Sequence, residues 1–297
     1  MNKAEVGSVR FFRRMITLVT LAVITILAIS LIFVAGNLKK AKTDLDYYKG
    51  GGAAGSVMVD NTSVQDGEQN AYETLFPDMY VSRPEEFTRL FDKDRFFYLT
   101  FTGGPSLETS KILDQLAALD VKATFFVKGG DSPEGRQILK RIVDEGHTVG
   151  IYGYELSKDK VYESVEVYLD DFWKEYQLIY DATGVQPTVF KFQGGTTNSY
   201  NALIRQALCS EMVRRGFSYF DWNANSGDLV PGTDAETIAA NAILTGGEKQ
   251  RIFLQMHDCS GGGIAGAKAL PKITEHFKEA GYEFRPITND IMPMAFE

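Results

Sequence analysis

Histidine and cysteine, two of the residue types that most often ligate zinc, are scarce in this chain of 297 residues, which holds three histidines and two cysteines. Two cysteines, Cys209 and Cys259, exclude a fold held by a disulfide framework, and the sequence leaves open whether they form one bridge. An excess of positive charge is also lacking. The formal net charge is −8, which excludes the basic footprint of a nucleic-acid-binding protein.

The charge is unevenly distributed along the chain. Residues 1–42 carry seven Lys/Arg and one Glu, a net +6, which leaves −14 for the remainder of a chain whose total is −8. Residues 15–35 contain no charged side chain, and a helix of that length rises about 30 Å, the thickness of a membrane's hydrocarbon core. Basic residues such as Arg13 and Arg14 precede this run. We therefore predict a single-pass anchor in the cell membrane, with the C-terminal domain extracytoplasmic. A cleaved signal peptide is the alternative.

The segments around the predicted anchor differ in composition. Residues 1–14 form the predicted cytoplasmic N-terminus. Residues 36–75 form a predicted flexible tether, because they include three consecutive glycines and a polar stretch without apolar periodicity. Residues 76–94 lead into a folded domain that is predicted to span residues 95–291.

From residue 95 onward, apolar runs typical of buried strands alternate with amphipathic runs typical of helices. The strands are predicted at 96–101, 122–127, 147–152, 188–192, 217–222, 251–257 and 282–287. The helices are predicted at 110–119, 133–145, 165–183, 198–215, 233–244 and 265–280. Short connections between them predict parallel strands with right-handed crossovers. The predicted fold class is α/β, a distorted barrel of about seven parallel strands, with a doubly wound open sheet as the alternative. Both architectures place functional side chains at the carboxyl ends of the strands.

Five loops at those strand ends carry the residues that could bind a ligand or take part in catalysis. They read TFTGGP at 100–105, GHTVGIYGYEL at 146–156, FKFQGGTTN at 190–198, YFDWN at 219–223 and LQMHD at 254–258. Their order and spacing resemble the polysaccharide deacetylase family, which shares the NodB homology domain. The resemblance implies the barrel fold, and it implies an ancestry among enzymes that remove acetyl groups from N-acetyl sugars with a divalent metal, usually zinc.

The chain departs from the family pattern where the metal is held. The resemblance places the general base and a metal ligand at Thr102 and Gly103, and two histidine ligands at Tyr152 and Leu156. A catalytic zinc needs about three ligands drawn from His, Cys, Asp and Glu. None of these four residues supplies one, so neither zinc nor any other cofactor is predicted.

Two family positions retain groups that transfer protons. The resemblance implies that His257 is the usual general acid and that Asp221 belongs to the Asp-Trp pair of the fourth motif. These two are the predicted catalytic residues, and they are insufficient without a metal and a base. The predicted substrate groove is formed by six residues at the strand ends: Thr102, Gly103, Tyr152, Lys191, Gln193 and Trp222.

These features predict a membrane-anchored pseudoenzyme that binds a cell-wall polysaccharide or a protein of the membrane or cell wall, and no nucleic acid. The alternative is an active N-deacetylase of peptidoglycan or a chitin-like polysaccharide, working through a non-standard site around His257 and Asp221. A relocated metal site of His257, Asp228 and Asp258 is a further alternative.

The other candidate groups receive structural interpretations. His147 is predicted to be a packed strand residue, and His276 a solvated residue of the last helix. A nucleophile at Cys259 or Ser260 beside the retained histidine is an alternative, although neighbours in sequence rarely have the required geometry.

Overall fold

A computed structural model describes residues 70–91, 93–259 and 263–296. The predicted anchor at 15–35 and the tether up to residue 69 lie outside the described residues. Within the described part of the chain, no helix is both long enough and apolar enough to span a bilayer.

Strands and helices alternate along the chain, after a 3-10 turn at Ala71–Thr74. The strands are β1 (Phe96–Thr102), β2 (Thr124–Lys128), β3 (Thr148–Gly153), β4 (Val189–Phe190), β5 (Ser218–Tyr219), β6 (Ala224–Asn225), β7 (Arg251–His257) and β8 (Glu283–Phe284). The helices are α1 (Leu107–Leu119), α2 (Pro133–Asp144), α3 (Lys158–Val161), α4 (Val165–Thr183), α5 (Arg205–Arg214), α6 (Ala235–Gly246) and α7 (Gly263–Glu279).

Seven of the strands form one parallel sheet in the order β5-β4-β3-β2-β1-β7-β6, and β8 pairs with the first two residues of β1. The predicted α/β class with about seven parallel strands is confirmed. The sheet is curled: Phe220, which follows β5, packs on Phe253 of β7 with ring centroids 5.9 Å apart. Five strand spacings separate β5 from β7, about 24 Å in a flat sheet, so the open-sheet alternative is wrong.

The alternation of side chains along β1 explains how the curled sheet is filled. One set of side chains packs against the helices in the larger core cluster: Phe97, Leu99 and Phe101. The opposite set points to the inside of the curl and begins with Phe96 and Tyr98, in a second apolar cluster. The next two inner positions are Thr100 and Thr102. The inside is therefore apolar at the amino end of β1 and polar at its carboxyl end, where a site is expected.

Side-chain caps begin the helices directly after the strand ends. Ser106 caps α1 in a capping box, and Ser132, Ser164 and Asp234 accept from backbone N–H groups at the starts of α2, α4 and α6. The helix amino ends therefore surround the same edge of the sheet as the polar positions.

Three elements differ from the sequence prediction. The predicted helix at 198–215 begins at Arg205, because the Asn198 side chain accepts from the backbone N–H groups of Tyr200 and Asn201 and holds a turn there. The short elements α3 and β6 were not predicted. Four residues and two residues are too few to show a periodicity.

Candidate functional site

The carboxyl ends of the central strands bring four polar side chains together inside the curled sheet. The parallel register sets Thr100 beside Gln255 and Thr102 beside His257. Thr100, Thr102 and Gln255 are buried, whereas the His257 side chain is 14% exposed. Solvent therefore reaches this cluster at His257.

Lys191 extends from the segment after β4 into the same cluster. Its Nζ donates to Thr100 Oγ1 at 3.2 Å and to Thr102 Oγ1 at 3.3 Å, and it lies over the rings of Phe126 and Trp222 at 4.7 and 5.5 Å. The residue is 1% exposed, and burial lowers the pKa of its ammonium to about 7. A buried amine thus stands next to the hydroxyl at position 102.

His257 is held through both ring nitrogens. Asp228 accepts from its backbone N–H at 2.6 Å and lies 2.9 Å from Nδ1, and Gln255 Nε2 lies 3.1 Å from Nε2. Because an ionised carboxylate only accepts, Nδ1 carries a proton, and in the neutral ring Nε2 accepts from the Gln255 amide. The ring is therefore oriented by groups from two different strand ends.

The carboxylate beside His257 is Asp228 rather than Asp221, the residue predicted to accompany it. The Asp221 side chain accepts from the backbone N–H groups of Thr196 at 2.9 Å and Phe296 at 2.7 Å, and burial raises its pKa. Asp221 is thus used to fix two loops. The two residues named as catalytic from the sequence do not form the pair seen here.

The loop after β3, where the resemblance places two metal ligands, is fixed by other side chains. The buried Asp171 carboxylate accepts from the consecutive N–H groups of residues 154–156 at 2.8 to 3.0 Å. Lys128 and Gln193 both donate to the Leu156 carbonyl, at 2.6 and 3.2 Å. The Leu156 side chain packs against the larger core cluster. Gln193, predicted to line the groove, is therefore a buried brace of this loop.

Three predicted groove residues remain partly exposed, namely Gly103, Tyr152 and Trp222. Tyr152 is half-buried, and burial raises the pKa of its phenol, so it is neutral at physiological pH. Gly103 has φ +107°, and a Cβ there would lie 3.1 Å from Cys259 Sγ. Cys209 and Cys259 are free thiols and do not form a disulfide with each other.

The relocated metal site of His257, Asp228 and Asp258 is not formed. Asp258 is buried and accepts from Gly104 N at 2.7 Å and Thr109 Oγ1 at 2.8 Å, so it ties β1 to the start of α1. In the described ranges, no group of three His, Cys, Asp or Glu side chains lies close enough to hold a metal ion. Ser260 lies outside the described residues.

The side chains at the positions where the resemblance places the metal do not fit a zinc ion. They are a hydroxyl at 102, a glycine at 103, a neutral phenol at 152 and a core-packed alkyl chain at 156. His257 is the imidazole in this region, and its two nitrogens already have partners. Hence no catalytic step is assigned to a metal here.

Several residues of the site were not found from the sequence. Gln255 lies two residues before His257, so the alternation of β7 places it on the same face, and that signal was present. Asp228 was considered only as a metal ligand, because a loop of unknown path separates it from β7. Phe296 lies beyond the predicted domain end at residue 291. His276 is exposed, as predicted. His147 is buried, as predicted, but it lies one residue before β3 rather than inside the strand.

Comparisons with known proteins agree with this architecture. The family model described as polysaccharide deacetylase matches residues 91–212. A peptidoglycan-N-acetylglucosamine deacetylase of Bacillus cereus is 32% identical over 191 residues, which are 63% of this chain and 67% of that protein. The catalytic domain of a peptidoglycan N-acetylglucosamine deacetylase from Eubacterium rectale has a TM-score of 0.66 at 26% identity, over 72% of this chain and 97% of that one.

A second relative extends the match in sequence. The putative polysaccharide deacetylase YheN of Bacillus subtilis is 28% identical over 223 residues, which are 73% of this chain and 75% of that protein. The predicted resemblance to this family is therefore confirmed. This chain belongs to the polysaccharide deacetylase family.

Proposed function

We propose that this chain is a membrane-anchored, extracytoplasmic member of its family that binds a cell-wall glycan without deacetylating it. The names of the Bacillus and Eubacterium relatives point to peptidoglycan as the glycan. Partly exposed aromatic residues at the mouth, Tyr152 and Trp222, suit the faces of sugar rings. A protein partner of the membrane or cell wall is the other ligand class that this proposal allows.

The 3.3 Å contact between Lys191 Nζ and Thr102 Oγ1 carries the proposal. A hydroxyl at position 102 does not take a proton from water as a carboxylate does. When the amine is charged, its Coulomb repulsion also disfavours a divalent cation near position 102. For two like charges that are partly shielded from water, this repulsion is on the order of several kcal/mol. Position 102 thus offers no carboxylate base, and the charged amine makes its surroundings unfavourable for a metal ion.

Elemental analysis of the purified full-length chain after dialysis tests the metal part of the proposal. Less than a stoichiometric amount of zinc or another transition metal is expected. One tightly bound ion per chain would contradict the proposal, since the donor set described above offers it no coordination.

Calorimetric titration with N-acetylglucosamine oligomers and soluble peptidoglycan fragments tests the binding part. Binding is expected, and Trp222→Ala should weaken it about tenfold or more, as loss of an aromatic contact at a binding surface typically does. The other tryptophan of the chain, Trp173 on α4, stacks on Tyr176, so Trp173→Phe is the matched control. Absence of binding, combined with a protein cross-linked to the chain in membranes, would favour the protein ligand.

One observation favours the alternative of an active deacetylase, namely the pairing of His257 Nδ1 with the Asp228 carboxylate at 2.9 Å. Such a pair orients an imidazole for proton transfer. Release of acetate from N-acetylglucosamine oligomers, abolished by His257→Ala, would support the enzyme and contradict the pseudoenzyme.

A further inference from the structure

Residues 292–296 run beside β5 to the mouth of the curled sheet and are bound there through their backbone. Met294 forms a parallel bridge with Phe220, and its carbonyl accepts from Asp221 N at 2.6 Å. Phe296 N then donates to the Asp221 carboxylate at 2.7 Å. The segment therefore follows the free side of β5 and ends beside the strand-end loops.

The ring of Phe296 packs against the aromatic residue of the proposed glycan site. Its centroid lies 4.7 Å from that of Trp222, with the ring planes at 79°. A Cβ on Gly195 would lie 2.6 Å from the Phe296 ring, so the ring occupies space that only a glycine at 195 leaves open. The contact is thus shaped by three separate parts of the chain.

We propose that residues 292–296 are a displaceable cover of the mouth, and that a glycan reaches Trp222 only after Phe296 has moved away. This inference rests on the proposed glycan binding. Phe296, the part of the cover that touches Trp222, is only half-buried. A site that is competent in only a fraction of molecules binds its ligand more weakly by that fraction, so the closed segment lowers the apparent affinity.

Fluorescence quenching measures how far the cover shields Trp222. The chain has two tryptophans, so removal of one leaves the other as the only reporter. In the full-length Trp173→Phe background, Trp222 is the single reporter. Phe296→Ala is expected to increase the acrylamide quenching constant of Trp222 and to tighten binding of N-acetylglucosamine oligomers by about tenfold, the size expected when one aromatic contact no longer competes. Saturating oligomer should also abolish the difference in quenching between Phe296→Ala and its parent.

Met292→Ala is the matched control, because Met292 lies in the same segment and is 51% exposed. The hydrogen bond of Met292 to the Arg251 guanidinium is made by its backbone carbonyl, which the substitution keeps. Met292→Ala should change neither quenching nor affinity. Unchanged quenching in Phe296→Ala would overturn the cover, as would increased quenching with an unchanged oligomer affinity. If no variant, including the parent, binds any oligomer while quenching still rises, the proposed glycan binding fails and the cover loses its regulatory role.

Discussion

Gln255 and His257 lie on the same face of β7, and their side chains touch, with Gln255 Nε2 3.1 Å from His257 Nε2. The other end of the amide, Gln255 Oε1, is buried and has no hydrogen-bond partner among the described residues. The hydrogen bond of the Gln255 side chain is therefore made to Nε2 of His257, the ring nitrogen that faces away from Asp228. Gln255 limits the availability of that nitrogen to any ligand or substrate.

Gln255→Leu should free His257 without unfolding the protein. Diethyl pyrocarbonate modifies unprotonated ring nitrogens, and its rate at His257 should rise about three- to tenfold, because a hydrogen bond of about 1 kcal/mol is removed. The exposed His276 serves as the internal reference in peptide mass spectrometry. The thermal midpoint should stay the same or increase, since an unpaired buried oxygen is also removed.

Gln177→Leu, at an exposed position of α4, is the matched control and should leave every histidine rate unchanged. Equal rates at His257 in the parent and in Gln255→Leu would show that the amide does not restrict the ring.

The buried lysine should make stability depend on pH. Burial lowers the pKa of Lys191 from 10.5 to about 7, so between these values the unfolded chain holds a proton that the folded chain has lost. Stability of the parent therefore rises as pH increases from 7 to 10.5 and is lowest below pH 7. Between pH values well below 7 and well above 10.5, this one group changes the free energy of unfolding by about 5 kcal/mol.

Lys191→Met removes this cost and should stabilise the protein most at pH 6, by about 2 to 5 kcal/mol after the lost ring and hydroxyl contacts are counted. Urea unfolding at several pH values between 6 and 10 measures it, and the gain should shrink as the pH rises. Lys174→Met, which removes an exposed pair with Asp170, should shift stability by no more than about 0.5 kcal/mol at any pH. A destabilised Lys191→Met with the pH slope of the parent would contradict the burial of a titrating amine.

The position of the site was predictable because it depends on strand ends and on the alternation of side chains. Thr102 and His257 end two strands whose apolar runs are strong, so sequence alone places them at one edge. The burial of Lys191 and Gln193 was not predictable, because it depends on loops that close over them. The partner of His257 was missed for a related reason. Asp228 reaches the ring from the loop after β6, a two-residue strand without a sequence signal.

Arg215 should be essential for the segment that leads into the domain. Its guanidinium is fully buried, donates to Glu211 at 2.6 Å and also binds the carbonyls of Tyr72, Leu75 and Phe76 at 2.7 to 3.2 Å. Arg215→Met should lower the free energy of unfolding by about 3 to 5 kcal/mol, because the buried Glu211 carboxylate loses one of its cationic partners and each of the three carbonyls loses a donor. The carbonyls of Tyr72 and Phe76 keep the backbone N–H groups of Leu75 and Met79 as donors. New proteolytic cleavage between residues 70 and 81 should accompany the loss.

Arg214→Met is the matched control, because Arg214 also contacts Glu211 but its side chain is 39% exposed. It should cost about 1 kcal/mol. If both variants lose the same stability and neither is cleaved near residue 75, the leading segment is held by other contacts.

Rebuilding the family's ligand set tests the assignment of positions. The variant Thr102→Asp, Gly103→Asp, Tyr152→His and Leu156→His should bind one zinc ion per chain, measured by calorimetry and elemental analysis, where the parent binds none. The new carboxylate at 102 would also give the Lys191 amine an anionic partner. Gly103→Asp alone should destabilise the protein by about 1 to 3 kcal/mol, because its φ of +107° suits glycine and its Cβ would crowd Cys259.

A matched variant carries the other three substitutions and keeps Leu156. Comparing the two shows whether position 156 supplies a zinc ligand, or whether these positions have been aligned wrongly with those of the family. The Leu156-containing variant should fold equally well and bind zinc more weakly, because it lacks one of about three ligands. If the full variant folds, as judged by its unfolding transition, and still binds no zinc, then Thr102, Gly103, Tyr152 and Leu156 do not occupy the metal positions of the family. The absence of carboxylates and imidazoles there would then no longer argue against catalysis.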